Sequence, residues 1–409
     1  MEKWQMRYGR QGSALKFLFY KCLFVLFFTL SLLASASEGR WSGNLKSYLL
    51  KGEHSILSET LKDSEMSLVL SGRFNGIYHW SENWQMEFGY EWDWQTAQSP
   101  KAKVSALTPQ GYRYDDIESH PRALQGEESF FQQNLDRAQV IYYVRSWEWH
   151  LGRQALSFGS GKMVNPTDIF FAFPLASIDQ EYRRGVDALR FRKGFGAMGE
   201  VDGGYVFGPL AHKEDSAFYM NIKQVFYEWD VAVMMAVFKE NELLGFDLQG
   251  DIFGHGIWWE SAWTEYKSDG SKGWEGGSAF RSVIGFDYRI SSTQSLWIFE
   301  FHYNGAGQKD SDRYTEQIND VSFFEGAVFL LGQSYLSPGL QWEWSPLLHS
   351  THGILWNLND HSTFFTTQLD YNVADDLIFN GQVYAPQGPG KSEFSQYPFF
   401  ASFSLKYYF

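Results

Sequence analysis

The stretch Trp84-Gln85-Met86-Glu87-Phe88-Gly89-Tyr90-Glu91-Trp92-Asp93-Trp94 alternates without a break. Successive side chains of an extended strand point to opposite faces. Trp84, Met86, Phe88, Tyr90, Trp92 and Trp94 therefore share one face, and Gln85, Glu87, Gly89, Glu91 and Asp93 share the other. Six large apolar groups in a row is heavy for one core face of a soluble sandwich. A strand with lipid on one side and water on the other accounts for both faces.

The pattern recurs along the chain. Leu68, Leu70, Phe74, Tyr78 and Trp80 oppose Ser71, Arg73 and Asn75. Phe280, Ile284, Phe286 and Tyr288 oppose Arg281, Asp287 and Arg289, while Trp297, Phe299, Phe301 and Tyr303 oppose Glu300 and His302. Phe365, Leu369, Tyr371 and Val373 oppose Gln368, Asp370 and Asn372. The last run places Phe399, Ala401, Phe403, Leu405, Tyr407 and the final Phe409 on one face. It resembles the C-terminal signal of bacterial outer-membrane barrels, which implies barrel-assembly machinery as a partner through Phe409. No helical period of any length follows Ser37. Lipid offers backbone N–H and C=O groups no partners, so a spanning sheet must have no open edge. The expected fold is all-β, a closed antiparallel transmembrane β-barrel.

Eighteen strands are expected, at 40–50, 66–80, 83–94, 135–144, 147–154, 186–192, 197–207, 216–226, 230–238, 243–253, 256–265, 279–290, 293–303, 329–344, 349–357, 363–373, 377–385 and 396–409. Barrels of this kind have short turns at one rim and long loops at the other. Every even-numbered connection here is short, and most odd-numbered ones are long, notably 95–134, 155–185, 266–278 and 304–328. The 239–242 link breaks that rule. If it or the 329–344 segment is misread, sixteen or twenty strands remain.

Composition agrees with this class. Aromatics make up 19% of the 409 residues, with 17 Trp, 23 Tyr and 36 Phe, and they cluster at strand ends where interfacial girdles form. The formal charge of −14 argues against nucleic acid, which needs a basic surface. Residues 1–36 read as a cleaved secretory signal, with Lys3, Arg7, Arg10 and Lys16 before the apolar run Phe17–Leu33 and Ala34-Ser35-Ala36 at the cleavage site. Its removal takes five basic residues and one acidic one from the 34 and 48 of the chain, leaving 29 and 47, a net −18. Residues 37–409 are then a single barrel domain. The one cysteine, Cys22, leaves with the signal, so the mature chain can form neither disulfides nor thiolate metal sites.

The most distinctive chemistry lies between Gly152 and Arg190. The segment opens Gly152-Arg153-Gln154 and passes through Phe158-Gly159-Ser160-Gly161-Lys162 and Asn165-Pro166-Thr167-Asp168-Ile169-Phe170. It closes with Glu181-Tyr182-Arg183-Arg184-Gly185-Val186-Asp187-Ala188-Leu189-Arg190. From Arg137 to Lys193 nine basic residues face five acidic ones, a local +4 in an acidic chain. By strand parity Arg137, Gln139, Arg190 and Arg192 point into the lumen. The 155–185 loop joins an Asn-Pro break and an apolar centre to charged flanks, which suits a loop that narrows a pore. About 40 residues of this stretch resemble a motif of uncharacterised outer-membrane proteins related to the alginate-export barrels. That resemblance implies a passive transport or export channel and leaves the solute open.

The pore-lining and constriction candidates are Arg137, Lys162, Asp168, Arg183, Arg184, Asp187 and Arg190, with Glu87, Glu91, Arg281, Arg289, Glu300 and Asp370 on other strands. Ion pairs that anchor a loop are the competing reading of Arg183, Arg184 and Asp187. No catalytic constellation is present: there is no G-x-S-x-G elbow, and His349 and His352 would face opposite sides of a strand. No cofactor or metal is expected. The chain reads as a porin-like passive channel for small polar solutes in a Gram-negative outer membrane, with both termini periplasmic and lipid and lipopolysaccharide around it. Net acidity favours cations or neutral solutes unless the basic patch rules the narrowest point. The alternatives are a polysaccharide export channel and a non-conducting surface platform for binding or assembly.

Overall fold

The computed structural model describes residues 39–52, 65–96, 111–114, 122–123, 129–170, 179, 181–268, 276–318, 320–325 and 329–409. The signal segment lies outside the described residues. Eighteen strands form the wall: β1 (Gly39–Gly52), β2 (Glu65–Ser81), β3 (Trp84–Thr96), β4 (Ser129–Val144), β5 (Trp147–Gln154), β6 (Val186–Phe195), β7 (Gly199–Val206), β8 (Ala217–Phe226), β9 (Trp229–Phe238), β10 (Asn241–Ile252), β11 (His255–Tyr266), β12 (Gly277–Ile290), β13 (Ser295–Asn304), β14 (Ser334–Ser345), β15 (Leu348–Asn357), β16 (Thr363–Ala374), β17 (Leu377–Gln387) and β18 (Phe400–Tyr408). Each pairs antiparallel with its neighbour in sequence, and β1 also pairs with β18, so the sheet is closed. A two-residue piece, Arg122–Ala123, adds to β4 at the long-loop rim.

The two faces separate as the alternation requires. Leu45, Leu189, Ile222, Ile284, Leu369 and Phe403 are exposed on the outside. Asn44, Lys46, Arg73, Glu260 and Gln382, at positions of the opposite parity on the wall strands, are buried on the inside. Short turns gather at one rim, at residues 82–83, 145–146, 227–228, 253–254, 346–347 and 375–376 among others. The described ends meet there, with Gly43 and Phe409 exchanging backbone hydrogen bonds of 2.9 and 3.0 Å.

Departures from the expected boundaries have local causes. Strand β4 begins at Ser129 rather than 135, because β3 continues to Thr96 and the two pair over their whole length. Strand β14 starts at Ser334 rather than 329, since the chain before it is a loop carrying short helices at Tyr314–Ile318 and Val321–Phe324. Strand β18 starts at Phe400 rather than 396, since Phe394–Gln396 forms a 3₁₀ turn. The doubtful 239–242 link is a real two-residue turn, with Lys239 and Glu240 at φ 45° and 68°. That turn keeps the strand count at eighteen.

The interior is not simply an aqueous bore. One apolar cluster joins Leu156, Phe158, Ile169 and Phe170 of the β5–β6 loop to Tyr219, Met234, Ala236 and Phe238 of β8 and β9. A second joins Leu330, Tyr335, Leu355, Phe364, Tyr384 and Phe394, with Val164 of the β5–β6 loop packed against it. Both are built on inward-facing positions and give the loops something to dock on.

Candidate functional site: a loop folded across the lumen

The β5–β6 loop turns inward at once. Gly152 has φ +121°, and a Cβ there would lie 2.2 Å from the Ala138 carbonyl oxygen, so the bend that ends β5 is open only to glycine. Leu156, Phe158, Ile169 and Phe170 then enter the first apolar cluster. Burying side chains of this size stabilises by roughly 1.5–3 kcal/mol each. Those contacts fix the two limbs of the loop and leave its tip, residues 159–167, to be held by polar groups.

Two wall carboxylates hold it. Glu260 of β11 accepts hydrogen bonds from the backbone N–H groups of Ser160 (3.1 Å), Gly161 (3.0 Å) and Thr167 (2.8 Å) and from the Thr167 hydroxyl (2.7 Å). Gly159, at φ +88°, lies so close that a Cβ would sit 2.4 Å from the Glu260 carboxylate oxygens. Glu300 of β13 accepts from the N–H groups of Lys162 (2.6 Å) and Met163 (2.9 Å) and from the Trp258 indole (2.7 Å). The Lys162 ammonium sits 5.1 Å from the Trp258 ring centre. The loop thus leaves β5, reaches β11 and β13, and then meets β1, where Lys46 pairs with Asp179 and Glu181 at 2.6 Å each. Partners spread around the wall in this way can be reached only through the lumen.

The returning limb is fixed by Asp136, an extra residue in β4 where the register slips opposite Gly89 and Tyr90. Asp136 accepts from Arg73 (2.6 Å), Arg137 (2.7 Å) and the Gly185 N–H (2.8 Å), and Arg113 lies 3.8 Å away. Burial alone would push the Asp179 carboxyl up, but the Lys46 ammonium and the Tyr48 hydroxyl outweigh it and hold that carboxyl below the ordinary range.

The expected site residues fall into three groups. Arg137, Lys162, Asp168, Arg183 and Glu300 come together in the loop and its anchors; Arg183 pairs with Asp168 and its carbonyl accepts from Arg137. Arg184 lies half-buried in the same limb. Glu87, Glu91, Arg190, Arg289 and Asp370 stand on the inner face: Glu87 accepts from Gln139 (2.6 Å), Glu91 lies 3.8 Å from Arg73, Arg190 pairs with Asp202 (2.5 Å), and Asp370 accepts from Gln368 and Asn380 (2.7 Å each). Asp187 and Arg281 act elsewhere. Asp187 forms a two-bond ion pair with Arg153 at the long-loop rim. Arg281 is sealed under the β13–β14 loop, donating to Asn304, Tyr266 and the Ser322 carbonyl. Sequence reasoning missed Glu260, Asp136 and Glu393. Inward parity alone marks Glu260, whereas a register slip hides Asp136.

Glu393, in the β17–β18 loop, ties the long-loop rim together. It accepts from the Leu331 N–H (2.9 Å), the Tyr335 hydroxyl (2.5 Å) and Asn357 (2.8 Å). Burial pushes its carboxyl up to about 7, against the pull of those donors. A carboxyl raised in the folded state binds its proton more tightly there. Its stabilising contribution is therefore full below the ordinary 4.5 and fades as pH rises toward 7. Hydrogen exchange of residues 388–399, corrected for intrinsic rate, is expected to quicken over that window. Glu393→Gln should abolish the trend; an identical trend in the variant would remove Glu393 as its source.

Among the described residues, no group of three or more His, Cys, Asp or Glu side chains is placed to hold a metal. No family model matches the sequence, and no curated protein does. Neither comparison shows the expected likeness to alginate-export relatives. Solved structures do share the architecture. OccAB1 of Acinetobacter baumannii superposes with a TM-score of 0.58 at 10% identity, covering 91% of this chain and 96% of that one. A BenF-like porin from Pseudomonas fluorescens gives 0.58 at 9% identity over 91% and 98%. The outer membrane protein OpdK of Pseudomonas aeruginosa gives 0.56 at 7% identity over 91% and 98%. At such identities the likeness is one of fold.

Proposed function

We propose that this chain is a passive channel of a Gram-negative outer membrane, admitting small polar solutes past the inner β5–β6 loop. The observation that carries the reading is the loop itself: a closed wall, apolar outside, encloses a segment pinned to opposite sides of the lumen by Glu260, Glu300 and Lys46. A loop so held narrows a passage and gives it selectivity. The fold shared with the BenF-like porin supports the same reading. In this proposal the short-turn rim and both ends of the barrel face the periplasm, residues 1–36 are removed on export, and lipopolysaccharide surrounds the long-loop rim. Assembly machinery would take up the strand ending in Phe409. The mechanism is diffusion, with no cofactor, energy source or catalytic step.

Purified protein reconstituted in planar bilayers is expected to show discrete conductance steps. Silence over a range of salts and voltages would favour the second reading, a non-conducting surface platform. The two apolar clusters that occupy part of the lumen are the observation on that side. A dedicated exporter of polyanions is the weaker alternative, because the basic residues of the wall are largely neutralised by carboxylates.

A further inference from the structure

The wall distributes its uncompensated charge unevenly. Lys46, Arg73, Arg137, Arg190, Arg192 and Lys223, all on the inner face, each lie within 4 Å of a carboxylate: Asp179, Asp136, Asp136, Asp202, Glu200 and Asp230 respectively. The inner-face arginines of the basic patch, Arg137, Arg190 and Arg192, are thus offset where they stand. The inner carboxylates nearer the short-turn rim are not cancelled. Among the described residues Glu87, Asp247, Asp251, Asp287 and Asp370 accept only from neutral donors: Gln85 and Gln139 for Glu87, Ser160 for Asp247, the Gly254 N–H for Asp251, the Gly256 N–H for Asp287, and Gln368 and Asn380 for Asp370. Against them, Arg40, Arg289 and Lys406 are the inner-face cations of that half outside any ion pair among the described residues, three against five.

Asp247 occupies a special position among these carboxylates. It lines a recess of about 170 Å³ between the loop residues Ser157, Phe158, Gly159 and Thr167 and the wall of β8–β10. Lys223 and Asp230, also in that recess, pair at 3.4 Å and offset each other. Asp247 is then the net charge among the residues lining the recess, oriented by the Ser160 hydroxyl at the loop tip, with the Lys162 ammonium of the same loop within its field. Resting on the channel reading above, we infer that the passage prefers cations, inorganic or bearing an ammonium group, and that Asp247 is the residue that sets the preference. Field lines from an unpaired carboxylate between low-dielectric walls concentrate counter-ions at that point and repel anions. Paired basic residues a few ångströms apart contribute a field that falls off far faster.

Reversal potentials across a KCl gradient test this. The native channel should give a potassium-to-chloride permeability ratio above one, falling toward one in molar salt, where screening shortens to ~3 Å. Asp247→Asn, which keeps an acceptor for Ser160, should lower the ratio about twofold or more at low salt. The Asp287→Asn/Asp370→Asn double variant should lower it less, and it serves if Asp247→Asn does not fold. A conducting native protein that prefers chloride, or variants that leave the ratio unchanged, would overturn the inference while leaving the channel intact. A native protein that never conducts would overturn both.

Discussion

Glu260→Leu is expected to free the tip of the inner loop and to raise single-channel conductance about twofold or more, with added open-channel noise. Four donors lose their acceptor at once: the N–H groups of Ser160, Gly161 and Thr167 and the Thr167 hydroxyl. Leaving a buried donor unpaired costs ~1–3 kcal/mol, and several together favour undocking into lumen water over staying in place. The limbs should not follow. Leu156, Phe158, Ile169 and Phe170 remain in their apolar cluster, whose roughly 1.5–3 kcal/mol per side chain is untouched. The change is therefore a loosened tip rather than an emptied lumen. Glu260→Gln should be intermediate, since its amide keeps one acceptor but turns an NH₂ toward two N–H donors. Unaltered conductance and noise, with unaltered exchange protection at residues 159–167, would show that Glu260 does not hold the loop.

Asp136→Ala should have the larger effect on folding. The residue accepts from Arg73, Arg137 and the Gly185 N–H, with Arg113 nearby, and its side chain is 2% exposed. Removing the shared anion leaves guanidinium groups crowded together without a counter-charge, and breaking a buried ion pair from one side costs about 3–5 kcal/mol. The fraction of protein migrating as the compact, heat-modifiable form on gels should fall, and the urea midpoint with it. Removing a neighbouring cation as well, in Asp136→Ala/Arg137→Gln, should recover part of the loss. If the double variant were as unstable as the single one, repulsion among the arginines would not be the cause.

The strand pattern was open to reading because the two sides of each wall strand meet different solvents. Trp84 to Trp94 alternates for that reason, and so does Phe280 to Tyr288. The lumen's contents were harder to read. Gly152 and the Gly159–Gly161 run mark the inner loop in the sequence, yet the partner that makes those glycines necessary, Glu260, lies about a hundred residues on, with nothing local to distinguish it. Asp136 is concealed by a slipped register, which breaks the parity rule between Leu135 and Arg137. Arg281 shows the converse error: parity placed it rightly on the inner face, but the β13–β14 loop covers it. Ends of strands escaped for a similar reason. The last strand, expected from 396, begins at Phe400 because Phe394–Gln396 forms a turn whose Phe394 docks in the second cluster.

The seam between β1 and β18 has a consequence for biogenesis. Seventeen of the eighteen junctions join strands adjacent in the chain, so each can zip as the polypeptide emerges. The last junction brings Asn44 to Tyr408 and Gly52 to Phe400, from opposite ends of the barrel sequence. Until the final dozen residues arrive, the product is a curved ribbon with two bare margins, each able to capture a stray strand. The inner loop, which touches β1 as well as β13, must also be inside before that margin seals. Completion is therefore a single terminal event, and a chain that stops short of it has no stable halfway house.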